Sequence, residues 1–196
     1  MRHGKQPIPS PADPIKDRRF IRSIKAILKD EHKFDEYLLF TLAINSGLRV
    51  SDLTQLTVGD LWTNEGKPRR KGRVKTEKTG AWADFQINEA IKGAMALYQK
   101  VHERREENER VFPVTTRTVT RWVKRWCEVV GLEAGSYSAH SLRKTYAYQL
   151  WSLNGKTYEA LTVVQKTLNH KTPGTTLDYL GISREQIEAM QASLNL

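Results

Sequence analysis

Residues 81–87 alternate. Ala81, Ala83, Phe85 and Ile87 fall on one side, and Trp82, Asp84 and Gln86 on the other. A two-residue period belongs to a half-buried strand. Along most of the rest of the 196-residue chain the apolar positions recur every three to four, the period of an amphipathic helix. Few folds accommodate one short alternating segment among so many helices. The pattern predicts an α+β fold, mainly helical, with one small antiparallel sheet of two or three strands. The other strands are expected at 60–63, before the turn Asn64-Glu65-Gly66, and at 74–76, before the turn Lys78-Thr79-Gly80.

The helices follow from spacing and caps. Asp13-Pro14 suits the N-cap and first position of a helix carrying Ile15, Ile21, Ile24, Ile27 and Leu28. A second helix over 34–46 ends at Gly47. Ser51 is placed to cap a short third helix with Leu53 and Leu56. Past the sheet, Ile91, Met95, Tyr98 and Val101 form a stripe that runs into the mixed-charge stretch 102–110. Residues 116–130 predict a helix with Val119, Trp122, Val123, Trp126 and Val129 inward and Arg117, Arg121, Lys124 and Arg125 mostly outward. Further helices are expected at 141–153 and 158–168, and a short amphipathic tail at 186–194 with Ile187, Met190 and Leu194 on one side. The expected organisation is a flexible N-terminal arm (1–13), one domain (14–183) and a C-terminal helical tail (184–196).

Composition excludes several classes. One cysteine, Cys127, leaves no internal disulfide and no cysteine zinc cluster. No P-loop and no ligand cluster suggests a metal, nucleotide or organic cofactor. The longest apolar run, 37–44, is far too short to span a bilayer, and the first fourteen residues have no apolar core of a signal peptide. A soluble intracellular chain is expected. Lys and Arg number 32 against 22 Asp and Glu, a net charge of +10. A surface so basic favours a polyanion, although a merely solvated basic face gives the same count.

Four clusters carry possible chemistry. In Ser46-Gly47-Leu48-Arg49-Val50-Ser51-Asp52-Leu53, an arginine among apolar neighbours needs an anion or a carboxylate, and Asp52 lies within one helical turn. The hairpin Lys75-Thr76-Glu77-Lys78-Thr79-Gly80 ends a basic stretch, where a tip lysine either reaches a phosphate or protects a sheet edge. His140-Ser141-Leu142-Arg143 puts an imidazole and a guanidinium on one helix face. His170 precedes Tyr179 by nine residues across a Pro-Gly turn. Each cluster alone admits a structural reading: an Arg–Asp pair, a solvated lysine, a chance HxxR, a packed tyrosine.

Taken in order, the clusters resemble the tyrosine recombinases, the family of phage integrases and other site-specific recombinases. The resemblance covers about residues 15–185. SGLRVSDLTQLTVGDL is similar to that family's first-arginine box, AHSLRKTYAYQL to its HxxR box and LNHKTPGTTLDYL to its nucleophile box. The resemblance implies that 14–183 is a catalytic domain that cuts and rejoins DNA through a covalent 3′-phosphotyrosine. Tyr179 would be the nucleophile, Arg49 and Arg143 the phosphate clamp and Lys78 the general acid, with Lys75 its rival. His140 would assist proton transfer, His170 would donate to a non-bridging phosphate oxygen, and Asp52 would support the first arginine. Lys75, Arg117, Arg121, Lys124 and Lys144 would contact DNA, helped by Arg2 and Lys5 of the arm. The implied partners are double-stranded DNA and further copies of the chain in a tetrameric synapse, with no membrane and no cofactor. The implied setting is the cytoplasm of a prokaryotic cell, at the nucleoid, or a virus-encoded element.

Members of the family carry an N-terminal helical DNA-clamping domain. Here only about 14 residues precede the first predicted helix, so modest affinity for a single site is expected. Two other readings share the residue set: a type IB topoisomerase-like enzyme that relaxes DNA, and a non-enzymatic DNA-binding regulator.

Overall fold

Helix α2 (Phe34–Ser46) is apolar nearly all round, and a helix of that kind must be wrapped by others. Leu38, Leu39, Phe40, Leu42 and Ala43 are fully buried along it. The computed structural model describes residues 12–77, 80–102, 106–181 and 192. Around α2 lie α1 (Arg18–Asp30), α5 (Glu89–Gln99), α6 (Thr116–Val129) and α7 (Ala139–Leu153), with the short helices α3 (Val50–Leu53) and α4 (Val58–Leu61) following α2. Strands β1 (Lys71–Lys75) and β2 (Trp82–Gln86) pair antiparallel, Lys71 opposite Gln86 and Lys75 opposite Trp82. A single 3₁₀ turn (Ala134–Ser136) precedes α7. Helices α8 (Tyr158–Leu168) and α9 (Pro173–Leu180) pack with α7 around a second, smaller apolar cluster of Ala147, Leu161, Val164, Leu168 and Leu180.

The α+β architecture expected from the sequence is the one observed, with four local differences. The first helix starts at Arg18, capped by Asp17, not after Asp13. Residues 14–16 stay extended because α7 takes their backbone groups: the Ile15 amide donates to Thr145 Oγ1 at 2.8 Å, and Gln149 Nε2 donates to the carbonyls of Ile15 and Lys16 at 3.1 and 2.8 Å. The expected strand at 60–63 is instead the end of α4. Thr57 and Asp60 form a capping box that closes a helical turn there, and Trp62 pairs only with Pro68 in an isolated bridge. The sheet therefore has two strands. Ser51 lies inside α3, whose cap position is Arg49, and Val129, expected inward, is exposed in the last turn of α6. Residues 1–11 of the expected arm (1–13) and nearly all of the tail lie outside the described residues.

One buried polar knot fixes α6 on α2. Glu36 accepts from Trp126 Nε1 at 2.7 Å and pairs with Arg125. Arg125 is thereby spent on the fold, while Arg117, Arg121 and Lys124 are exposed on the outer face of the same helix.

Candidate functional site

The main core and the smaller α7–α9 cluster meet at Arg143. Only 7% of this side chain's residue surface is exposed. Its Nη1 donates to the Gly47 carbonyl and its Nη2 to the Leu168 carbonyl at 3.0 Å. One guanidinium thus ties together the C-terminal ends of α2 and α8, and orphan helix-end carbonyls are natural partners for a cation. Gly47 can lie there only as glycine. Its φ is +68°, and a Cβ would stand 2.5 Å from the Tyr146 ring.

The chain places Arg49 two residues later, half-buried at the start of α3. His140 stands near the start of α7, three residues before Arg143. That helix opens at Ala139, earlier than expected, because Ser138 and Ser141 form a capping box. His170 follows the left-handed Asn169 that ends α8. Tyr179 stands on α9, which Pro173 opens and Thr172 caps. The two imidazoles meet the tyrosine edge-on: ring centroids are 5.1 Å from His140 to Tyr179 and 5.0 Å from His170 to Tyr179. Residues 130 positions apart in sequence, Arg49 and Tyr179, act on one another electrostatically across this cleft.

The electrostatics are those of a site short of one anion. Burial lowers the pKa of His140, and the adjacent Lys144, Arg143, Arg49 and His170 lower it further, although the ring edge is open to solvent. Burial, then Arg143 and Arg49, likewise lowers His170. Both imidazoles are therefore biased toward the neutral form in the free protein. Burial pushes the Tyr179 phenol up to about 12, against the pull of Arg143 and Arg49. Its hydroxyl is buried and makes no hydrogen bond of good geometry, although the Arg143 guanidinium lies close enough to favour the phenolate. A neutral phenol beside two guanidiniums, with no acceptor supplied by the protein, is arranged for a negatively charged ligand.

Two further residues complete the site, one absent from the sequence-based set and one expected elsewhere. Thr176 is fully buried and its Oγ1 lies 3.1 Å from His170 Nδ1, which leaves Nε2 facing the cleft. Its position three residues before Tyr179, on the same helix face, is the clue that was available. Lys144 is the second. Expected on a DNA-facing surface, it is 6% exposed, with Nζ 5.3 Å from the centroid of the Tyr179 ring. The packing of α7 on α9 covers it.

Asp52 also differs from expectation. It is 1% exposed and its Oδ1 accepts the Glu77 amide at 2.9 Å. No ion pair joins it to Arg49 among the described residues. It anchors the β1–β2 hairpin to α3, and its charge supports Arg143 from a distance. Lys75 ends β1 and is exposed. Lys78 lies outside the described residues. A cavity of about 890 Å³ opens elsewhere, beside Trp62, Tyr98 and His102, and contains none of these groups. Among the described residues no cluster of His, Cys, Asp and Glu could hold a metal, and no helix is long and apolar enough to cross a membrane.

Comparison with known proteins gives the same frame. The model of the phage integrase family matches residues 18–186. The chain is 28% identical over 182 residues to the probable integrase/recombinase YoeC of Bacillus subtilis, covering 90% of this chain and 93% of that protein. It is 28% identical over 178 residues to the tyrosine recombinase XerC of Caldanaerobacter subterraneus, covering 87% of this chain but 46% of XerC. In structure it is similar to the XerA recombinase (TM-score 0.67, 17% identity, all of this chain and 67% of that one). It is also similar to the XerH site-specific recombinase bound to its difH substrate (TM-score 0.64, 18% identity, 96% of this chain and 55% of that one). The chain thus spans nearly all of one relative and about half the length of others.

Proposed function

The chain belongs to the phage integrase family, and on that premise we propose that it cuts and rejoins DNA as a tyrosine-type site-specific recombinase, through a covalent 3′-phosphotyrosine formed by Tyr179. The observation that carries this reading is the convergence of Arg49, His140, Arg143 and His170 on one buried phenol. In the proposed step, Tyr179 Oη attacks the scissile phosphorus as the P–O5′ bond breaks. The phenol proton passes to a base, for which the neutral His140 is at hand, and the leaving 5′-oxygen takes a proton from Lys78. The reverse attack by a partner strand's 5′-hydroxyl breaks the phosphotyrosine bond and restores the phenol. Negative charge grows on the non-bridging oxygens in between, where Arg49, Arg143 and His170 stabilise it. No metal or organic cofactor is part of this scheme.

The exposed Arg117, Arg121 and Lys124 on α6, together with Lys75, support a phosphate-contacting face. Assembly of further copies into a tetrameric synapse, with the tail 184–196 docking in trans, belongs to the same proposal. Two marked duplexes carrying a site recovered by covalent capture from host DNA test it. Strand exchange between them supports recombination, whereas relaxation of a supercoiled plasmid without exchange favours a topoisomerase.

Binding should be strongly salt-dependent. With about 6–10 phosphate contacts, affinity should fall about a thousandfold or more between about 50 and 200 mM salt. A flat dependence in a fluorescence-anisotropy titration would remove nucleic acid as the main partner.

The hairpin gives a second expected result. Glu77, held by Asp52, directly precedes Lys78. Asp52→Asn weakens a buried carboxylate–amide bond and should slow cleavage about tenfold while leaving DNA affinity within about twofold. Loss of the general acid itself, in Lys78→Ala, should cost about a hundred- to ten-thousandfold. A substrate with sulfur at the bridging 5′ position has a leaving group that needs no proton, so it should restore both variants. Rescue of Lys75→Ala alone would make Lys75 the acid. Rescue of none of the three would mean that the hairpin only positions the strand.

A further inference from the structure

Lys144 follows Arg143 on α7 and lies one helical turn after His140, on the side that packs against α9. There the ammonium lies 5.3 Å from the centroid of the Tyr179 ring and almost out of contact with water. No carboxylate lies within ion-pair distance of it among the described residues. Asp13 and Asp178 support its charge from further off, Lys16 opposes it, and burial lowers its pKa.

We infer that Lys144 is a positioning residue for the nucleophile: its buried ammonium holds the tilt of the Tyr179 ring and favours the phenolate as the hydroxyl gives up its proton. The physical reason is the ring's charge. A cation on an aromatic face is attracted by the ring quadrupole, and the attraction grows when the site is dry. A phenolate spreads negative charge into that ring, so the same ammonium gains more from the ionised form than from the neutral one. Burial of Tyr179 works against ionisation and outweighs the pull of Arg143 and Arg49.

The groups that face the phenol come from each element around it. His140 and Arg143 come from α7, Arg49 from the start of α3 and His170 from the loop before α9, while Asp178 of α9 acts on Lys144. Arg49 and Arg143 act at the hydroxyl end of the ring, where the phosphate would sit and partly neutralise them. Lys144 acts on the ring face. The inference rests on Tyr179 being the nucleophile, as proposed above.

The test replaces Tyr179 with 3-fluorotyrosine and follows the ¹⁹F resonance through its titration, in the full-length protein without DNA. Relative to the parent, Lys144→Met should move the midpoint upward by about one pH unit. Lys144→Arg, which keeps a cation over the ring, should move it little. With unlabelled protein and a nicked duplex, Lys144→Met should form the covalent adduct about tenfold more slowly, the scale of a dry cation–π contact, while binding DNA within about twofold of the parent. An unmoved midpoint in Lys144→Met overturns the inference, as does loss of DNA affinity with an unmoved midpoint, which would make Lys144 a phosphate contact. If Lys144→Met fails to fold, Lys144→Gln must show the same upward shift. Failure of both to fold while Lys144→Arg folds would show a cation required by the fold and not by the nucleophile, and would also overturn it. The titration needs no DNA chemistry. A parent protein that forms no adduct would therefore defeat the functional reading and leave the titration result standing apart from it.

Discussion

Arg143→Lys is expected to lower adduct formation about 10²- to 10³-fold, the loss seen when one preorganised donor to a developing oxyanion is removed. The charge survives this substitution but the fork does not. In the native site two guanidinium nitrogens are held by the carbonyls of Gly47 and Leu168, which aims the remaining N–H groups into the cleft. A lysine has no planar second arm and cannot hold both carbonyls while reaching a phosphate. The same substitution leaves a buried carbonyl unpaired, at about 1–3 kcal/mol. The thermal midpoint should therefore drop by several degrees. DNA affinity should fall much less than the rate, because phosphate contacts are spread over the surface. Single-turnover kinetics on a nicked duplex separate the two effects. An unchanged rate in a folded Arg143→Lys protein would remove Arg143 from the phosphate clamp.

The helices were legible because their apolar periods are local. The alternation at 81–87 marked β2, and the apolar residues of 34–46 marked the buried α2. What misled was also local. Asp13-Pro14 has the chemistry of a helix start, yet residues 14–16 stay extended because Thr145 and Gln149, some 130 positions away, claim their backbone. Asp60 read as strand, though its carboxylate returns to Thr57 and closes a turn of helix. Arg49, His140, Arg143, His170 and Tyr179 were legible from their order along the chain, and the fold brings these five together. The burial of Lys144 and the Thr176–His170 contact were not legible, because both depend on how α7, α8 and α9 pack. Asp52 was singled out as a support for Arg49, and the contact the structure gives it is another. It holds the Glu77 amide, a hairpin contact that no helical spacing from Arg49 could indicate.

Tyr179→Phe should abolish the covalent adduct, by on the order of a millionfold, the scale of removing a covalent nucleophile. The ring would remain. Centroid contacts to both histidines and the ammonium of Lys144 need only the aromatic face. The hydroxyl that is lost is buried and makes no hydrogen bond of good geometry in the free protein, so its removal should cost little stability. DNA affinity should stay within about twofold. The most direct measurement is to trap the protein on a nicked duplex carrying its site, digest the complex, and locate the nucleotide by mass spectrometry. The account predicts a phosphodiester-linked nucleotide on the peptide containing Tyr179 and none in Tyr179→Phe. An adduct that persists in the variant, or one mapped to another residue, would contradict it.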